Sequence, residues 1–151
     1  MQSIIPALAV ADMEASIRFY TEVLGFSVTT TLPGPDGKPA HASLQRGEAQ
    51  IMFGPVDAMS LEHLALEDRT RLGKGVNLYA VVAADEDIDA FFDRVRAAGA
   101  TILWEPTDQF WGMRDWGVAD PDGYLWTISK QTGSPSAAEM EEAMLTGAPA
   151  D

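Results

Sequence analysis

The chain has 151 residues, 46% hydrophobic and 22% charged, which suits one domain or two fused half-domains on a shared core and excludes a disordered chain. A formal net charge of −13 and a pI near 4.3 repel nucleic-acid phosphates and anionic membranes and attract cations. The lack of cysteine removes thiol nucleophiles, thiolate metal sites and disulfides.

The start of the sequence shows no basic and then apolar leader, and no apolar run reaches the length of a membrane span. A soluble, cytoplasmic protein with neither nucleic acid nor membrane as partner is expected.

Residues 3–10, SIIPALAV, alternate as a strand with Ile4, Leu8 and Val10 on one side and Ile5, Ala7 and Ala9 on the other. Pro6 removes a ladder donor and sets this strand partly at an edge or beside an irregular pairing. Asp12 is placed as an N-cap, Met13, Ile17, Tyr20 and Leu24 form the apolar stripe of the helix behind it, and Gly25 closes that helix. A strand at 26–31 and a turn-rich loop at 32–39 follow. AHASLQ and AQIMFG then form a hairpin around Arg46-Gly47-Glu48. Residues 55–74 carry proline, charge and no clean period, and read as a linker with room for one short helical turn.

The second half repeats the first, with a strand at 76–82 and a helix at 87–98 opened by Asp87. Ile88, Phe91, Phe92 and Val95 face inward from that helix, and Gly99 closes it. A strand at 100–104, an aromatic-rich loop and a hairpin follow. The hairpin turns at Asp120-Pro121-Asp122-Gly123, and beyond it Tyr124, Trp126 and Ile128 alternate with Leu125, Thr127 and Ser129. The segments are a βαβββ module at 1–54, a linker at 55–74, a second βαβββ module at 75–130, and a short acidic helix and tail at 131–151. Ser136 and Glu139 fit a capping box, and Met140 with Met144 gives that last helix a narrow apolar edge.

IIPALAVADMEASIRFYTEVLGFSV, GVNLYAVV followed by DIDAFFDRVRAAGATIL, and the pattern GxRxxxVxDPDG occur in that order. With these motifs the chain resembles the glyoxalase / bleomycin resistance / extradiol dioxygenase superfamily, also called vicinal oxygen chelate. DQFWGMRDWGVADPDGYLWTIS before SPSAAEMEEAM is similar to its PhnB-like branch. The resemblance implies an α+β fold in which paired βαβββ modules curl a mixed sheet around a cup, helices outside and ligand inside. Alternation then assigns Leu8, Val10, Ile51, Phe53, Leu78, Val82, Trp126 and Ile128 to the helix side. Ile5, Ala7, His41, Ser43, Gln45, Gln50, Met52, Asn77, Tyr79, Leu125 and Thr127 fall to the cup.

Metal-using members place a His, Gln or Glu ligand on each of four strands. The resemblance carries those positions onto Ile5, Met52, Asn77 (or Val76 with a one-residue slip) and Thr127. Isoleucine and a thioether offer a divalent ion almost nothing, so no metal or other cofactor is expected. A rebuilt metal site would need His41, His63 and carboxylates such as Glu48 or Glu62. His41 is the one weak catalytic candidate, as a general base, against the reading of a histidine hydrogen-bonded to Ser43, Gln45 or water. Nucleophile motifs of the GxSxG or SxxK type are absent, and GPDGKP lacks phosphate-loop spacing.

Flat apolar surface is plentiful, with Trp104, Phe110, Trp111 and Trp116 around the rim and Met52 and Tyr79 inside; parity assigns Trp104 and Trp126 to packing. Arg114 is free to anchor an anionic or carbonyl group, or to pair with Asp108 or Asp115. The expected ligand-binding set is His41, Gln50, Met52, Asn77, Tyr79, Trp111, Arg114 and Thr127. By the bleomycin-resistance resemblance, the expected function is metal-independent sequestration of a planar or aromatic small molecule, cations among them, in an acidic, aromatic-lined cup, the antibiotic-resistance mode, in a homodimer. The alternatives are a lyase, isomerase or dioxygenase with a divergent site involving His41, and a scaffold with a filled interior.

Overall fold

The computed structural model describes residues 3–59 and 72–146. The chain divides into two compact units, one of Met1–Lys74 with Asp120–Tyr124, the other of Gly75–Ala119 with Leu125–Asp151. Each unit holds a four-stranded mixed sheet built from a βαβββ sequence, so the fold is α+β.

In the first unit the strands β1 (Ala7–Val10), β2 (Ser27–Pro33), β3 (Pro39–Arg46) and β4 (Ala49–Pro55) are ordered β1-β4-β3-β2. β1 runs parallel to β4, and the other pairings are antiparallel. Pro6 precedes β1, and its carbonyl still accepts from Met52 N–H at 2.9 Å, so the proline lies at the sheet's edge as expected.

Asp12 caps α1 (Met13–Arg18) by accepting from Ala15 N–H at 2.9 Å. Instead of one continuous α-helix to Leu24, the chain widens into a π-helical turn over Phe19–Val23. There Leu24 N–H reaches Phe19 O at 3.2 Å, while Thr21 Oγ1 donates to Ile17 O at 2.8 Å. Met13, Ser16, Tyr20 and Leu24 are buried, with Ile17 only half-buried. Gly25, at φ +75°, ends the helix where an L side chain would be strained. Leu8, Val10, Ala42, Leu44, Ile51 and Phe53 complete this core, and the Tyr20 and Phe53 rings lie 4.6 Å apart. One short helical turn, α2 (Val56–Met59), follows β4, and most of the expected linker lies outside the described residues.

The second unit repeats the order as β5-β8-β7-β6. Its elements are β5 (Asn77–Val81), α3 (Ile88–Ala97), β6 (Thr101–Gln109), β7 (Met113–Ala119) and β8 (Leu125–Gln131). Asp87 caps α3 by accepting from Ala90 N–H at 3.0 Å, and Ile88, Phe91, Phe92 and Val95 are buried. Trp116 is 0% exposed and sits edge-on to Phe91 and Phe92, with centroids 5.3 and 5.5 Å away.

Two expectations are corrected here. Trp116 belongs to the core and not to a rim, and residues 105–109 are strand and not loop. Trp104, assigned by parity to packing, is only half-buried, because register shifts between Ile102 and Trp104 and between Trp104 and Thr107 break the alternation that parity assumed.

A last helix, α4 (Ala137–Thr146), carries the expected capping box: Ser136 N–H donates to Glu139 Oε2 at 2.7 Å and Glu139 N–H to Ser136 Oγ at 3.3 Å. None of its residues is buried. No helix among the described residues is long and apolar enough to cross a membrane.

Candidate functional site

The signature turn is structural. Asp120 is 5% exposed, and its Oδ1 accepts from the N–H groups of Asp122 and Tyr124 at 2.9 and 2.8 Å. Its Oδ2 accepts from Tyr20 Oη–H at 2.7 Å. Burial pushes this carboxyl above the ordinary range against the pull of those donors. Asp122 accepts from Ala11 N–H at 2.9 Å and from Ser16 Oγ at 3.2 Å, and Tyr124 Oη donates to Ala9 O at 3.1 Å. The acidic turn thus fastens the start of α1 and leaves no oxygen of Asp120 for chemistry.

On β7, side chains alternate between α3 and the opposite face of the sheet. Arg114 points toward α3, with Nε and Nη2 within 3.0 and 2.9 Å of Asp89 Oδ1 and Nη1 3.0 Å from Asp108 Oδ2. The Asp89 hydrogen bond is the largest influence raising the guanidinium pKa. Asp115, the next residue, therefore cannot be its partner. Asp115 is 3% exposed, and its Oδ1 accepts from the Trp104 indole N–H at 3.1 Å and from the Gln109 amide at 2.9 Å. Trp104 reaches this position by lying over Gly117, where an added Cβ would collide with its benzo ring.

Across the ladder Asp115 is in register with Ser129, whose Oγ is 2.8 Å from Tyr79 Oη, and Gly117 with Thr127, whose Oγ1 donates to Asn77 Oδ1 at 3.0 Å. The face opposite α3 is thus a polar ladder walled by indole and phenol rings, and 48% of Tyr79 is exposed. Of the expected residues it brings together Asn77, Tyr79 and Thr127. Asp115, Gln109 and Ser129 join them without having been singled out for the site, as does Trp104, which was placed at the rim but assigned by parity to packing. An aspartate between Arg114 and Trp116, one position off the parity of Trp116 and Val118, was the available signal.

Trp111 is 38% exposed in the β6–β7 turn, with the Phe110 ring 4.8 Å away. Gly112 fixes that turn, its carbonyl accepting from Thr132 and Gly133 N–H at 2.9 and 3.0 Å.

In the first unit, His41 and Ser43 on β3 and Gln50 and Met52 on β4 share the face opposite α1. His41 Nε2 lies 2.9 Å from Ser43 Oγ, Met52 is half-buried and Gln50 is exposed. Ile5 is 36% exposed, ahead of β1.

The positions that would carry metal ligands hold a hydrocarbon, a thioether, and an amide and hydroxyl bonded to one another, a donor set that does not fit a divalent ion. Among the described residues no group of three or more His, Asp or Glu side chains could hold a metal. Glu62 and His63 lie outside the described residues.

Comparison with known proteins gives consistent findings. The model of the Glyoxalase/Bleomycin resistance protein/Dioxygenase superfamily matches residues 5–128. An uncharacterized protein of Mycobacterium bovis is 31% identical over 139 residues, covering 92% of this chain and 90% of its own length. A bleomycin resistance protein of Geobacillus stearothermophilus is 30% identical over 138 residues, 86% of this chain and 97% of that protein. Among solved structures, a glyoxalase-related enzyme from Fulvimarina pelagi aligns with a TM-score of 0.69 at 25% identity, covering 92% of this chain and 95% of the enzyme.

Proposed function

This chain belongs to the glyoxalase/bleomycin resistance protein/dioxygenase superfamily, and from that footing we propose that it binds and sequesters a planar or aromatic small molecule without using a metal ion. The observation that carries this reading is the hydrogen bond from Thr127 Oγ1 to Asn77 Oδ1 at 3.0 Å. Two positions that would ligate an ion are instead neutral groups engaged with each other, and Ile5 and Met52 supply no hard donor at the remaining two. Sequestration needs no reacting group. It needs flat apolar contact and a few orienting polar groups, which exposed Tyr79, Trp111 and half-buried Trp104 beside a polar ladder supply.

The test is elemental analysis of the purified protein before and after incubation with Zn, Ni, Mn and Fe(II), followed by tryptophan-fluorescence titration with planar aromatics. The expected result is no stoichiometric ion and saturable quenching by a planar ligand. One tightly held ion per chain would overturn the reading. A turnover abolished by His41→Ala, with ligand binding intact, would replace it with an enzyme built on the His41–Ser43 pair.

A further inference from the structure

A carboxylate that is 3% exposed ordinarily has a cation beside it, because transfer of an unpaired charge from water into a protein costs several kcal/mol. Asp115 has none. Its neighbour Arg114 is turned to the other face and held by Asp89 and Asp108. Both described donors to Asp115, the indole of Trp104 and the amide of Gln109, are neutral, and both converge on Oδ1. Oδ2 accepts from no described group. On the same face of the sheet the Trp104 ring is pressed onto Gly117. Across the ladder are Ser129 and the half-exposed ring of Tyr79.

We propose that Asp115 Oδ2 is the anchoring point for a positively charged nitrogen, so that the ligand class is a planar aromatic carrying a protonated amine, amidine or ring nitrogen. The nitrogen donates to Oδ2, and the aromatic body lies along the Trp104 and Tyr79 rings, where a cation also gains from the ring faces. A formal charge of −13 raises the local concentration of such ligands, and the buried carboxylate selects among them. This inference rests on the binding reading above and gives it a substrate class.

The experiment compares two planar probes of nearly the same shape, the cation 3,6-diaminoacridinium and neutral acridone, by quenching of tryptophan fluorescence at fixed ionic strength. The wild-type protein is expected to bind the cation at least about 10-fold more tightly, the scale of one charge-assisted hydrogen bond. Asp115→Asn keeps the size and an Oδ1 acceptor, and should remove that preference by weakening the cation far more than acridone. Gln109→Lys supplies an internal ammonium to the same carboxylate; it should abolish the preference with Asp115 still in place, and it decides the matter alone if Asp115→Asn does not fold. Equal affinity for both probes in the wild type, or a preference that survives either substitution, overturns the role of Asp115 and leaves the binding reading standing. Failure of both probes to bind overturns the binding reading and this inference with it.

Discussion

Replacing Tyr20 by phenylalanine isolates one hydrogen bond in the core of the first unit. Tyr20 is 0% exposed, and its ring contacts Phe19, Phe26 and Phe53, packing that phenylalanine preserves. The hydroxyl alone is lost, and with it the 2.7 Å bond to Asp120 Oδ2. A hydrogen bond to a charged acceptor contributes about 1.5–3 kcal/mol. For a chain of this length that lowers Tm by about 3–12 °C.

The pH dependence carries a second signature. Burial raises the Asp120 carboxyl in the native state, while the Tyr20 hydroxyl holds it down. The unfolded aspartate ionises near about 3.9, so above that pH the native state binds more protons. Stability from this group is therefore fully present below about pH 3.9 and is lost as pH rises through the native value. Tyr20→Phe moves that loss to higher pH, and Asp120→Asn removes it, leaving a flatter profile. Urea unfolding of all three proteins between pH 4 and 7 measures both effects. A Tyr20→Phe loss below about 0.5 kcal/mol, or a stability profile of Asp120→Asn parallel to wild type, would refute the account of the turn.

Gly112→Ala tests the aromatic turn: at φ +79° its Cβ would lie 2.8 Å from the Gly133 carbonyl carbon and 2.6 Å from Pro135 Cδ. Gly37→Ala, at φ +77° with nothing within 4 Å, carries the backbone strain alone, about 1 kcal/mol. Thermal unfolding should show Gly112→Ala clearly the worse of the two, and equal losses would argue against the close approach. Asp87→Ala removes the acceptor for Ala90 N–H and should cost about 1 kcal/mol by urea titration, with Asp87→Ser restoring most of it. Asp115→Asn, by relieving a buried charge with no cation beside it, should hold Tm or raise it by about 2–4 °C, whereas Asp120→Asn disturbs a carboxylate whose two oxygens are both in use.

Most of the fold was legible because period-two alternation runs unbroken through the sheet interiors. Leu8, Val10, Ile51, Phe53, Trp126 and Ile128 all fall on the buried side assigned to them, and Asp12 and Asp87 both cap. Where alternation is interrupted, the reading fails for that reason. The irregularities around Trp104 break the alternation that assigned it to packing, and Ser16, bonded to Asp122, takes the place expected of Ile17 on the buried stripe. Of the candidate site, Asn77, Tyr79 and Thr127 follow from β5 and β8 by parity alone. Asp115 does not, since nothing in a one-dimensional pattern tells that Arg114 is already satisfied by Asp89 from α3.

The contrast between the chain's two buried aspartates on this hairpin bears on how its site is to be understood. Asp120 and Asp115 are 5% and 3% exposed, so both bear the cost of leaving water. Asp120 recovers it through a phenol and two backbone amides spread over both oxygens, and the result is a fastening that locks the first helix of its unit. Asp115 gathers its two neutral donors onto one oxygen and keeps the other open on the face walled by Trp104 and Tyr79. A carboxylate needed only for packing would be satisfied as Asp120 is. One held rigid by an indole and an amide, with its second oxygen left unclaimed, has the geometry of a group waiting for a donor from outside the chain.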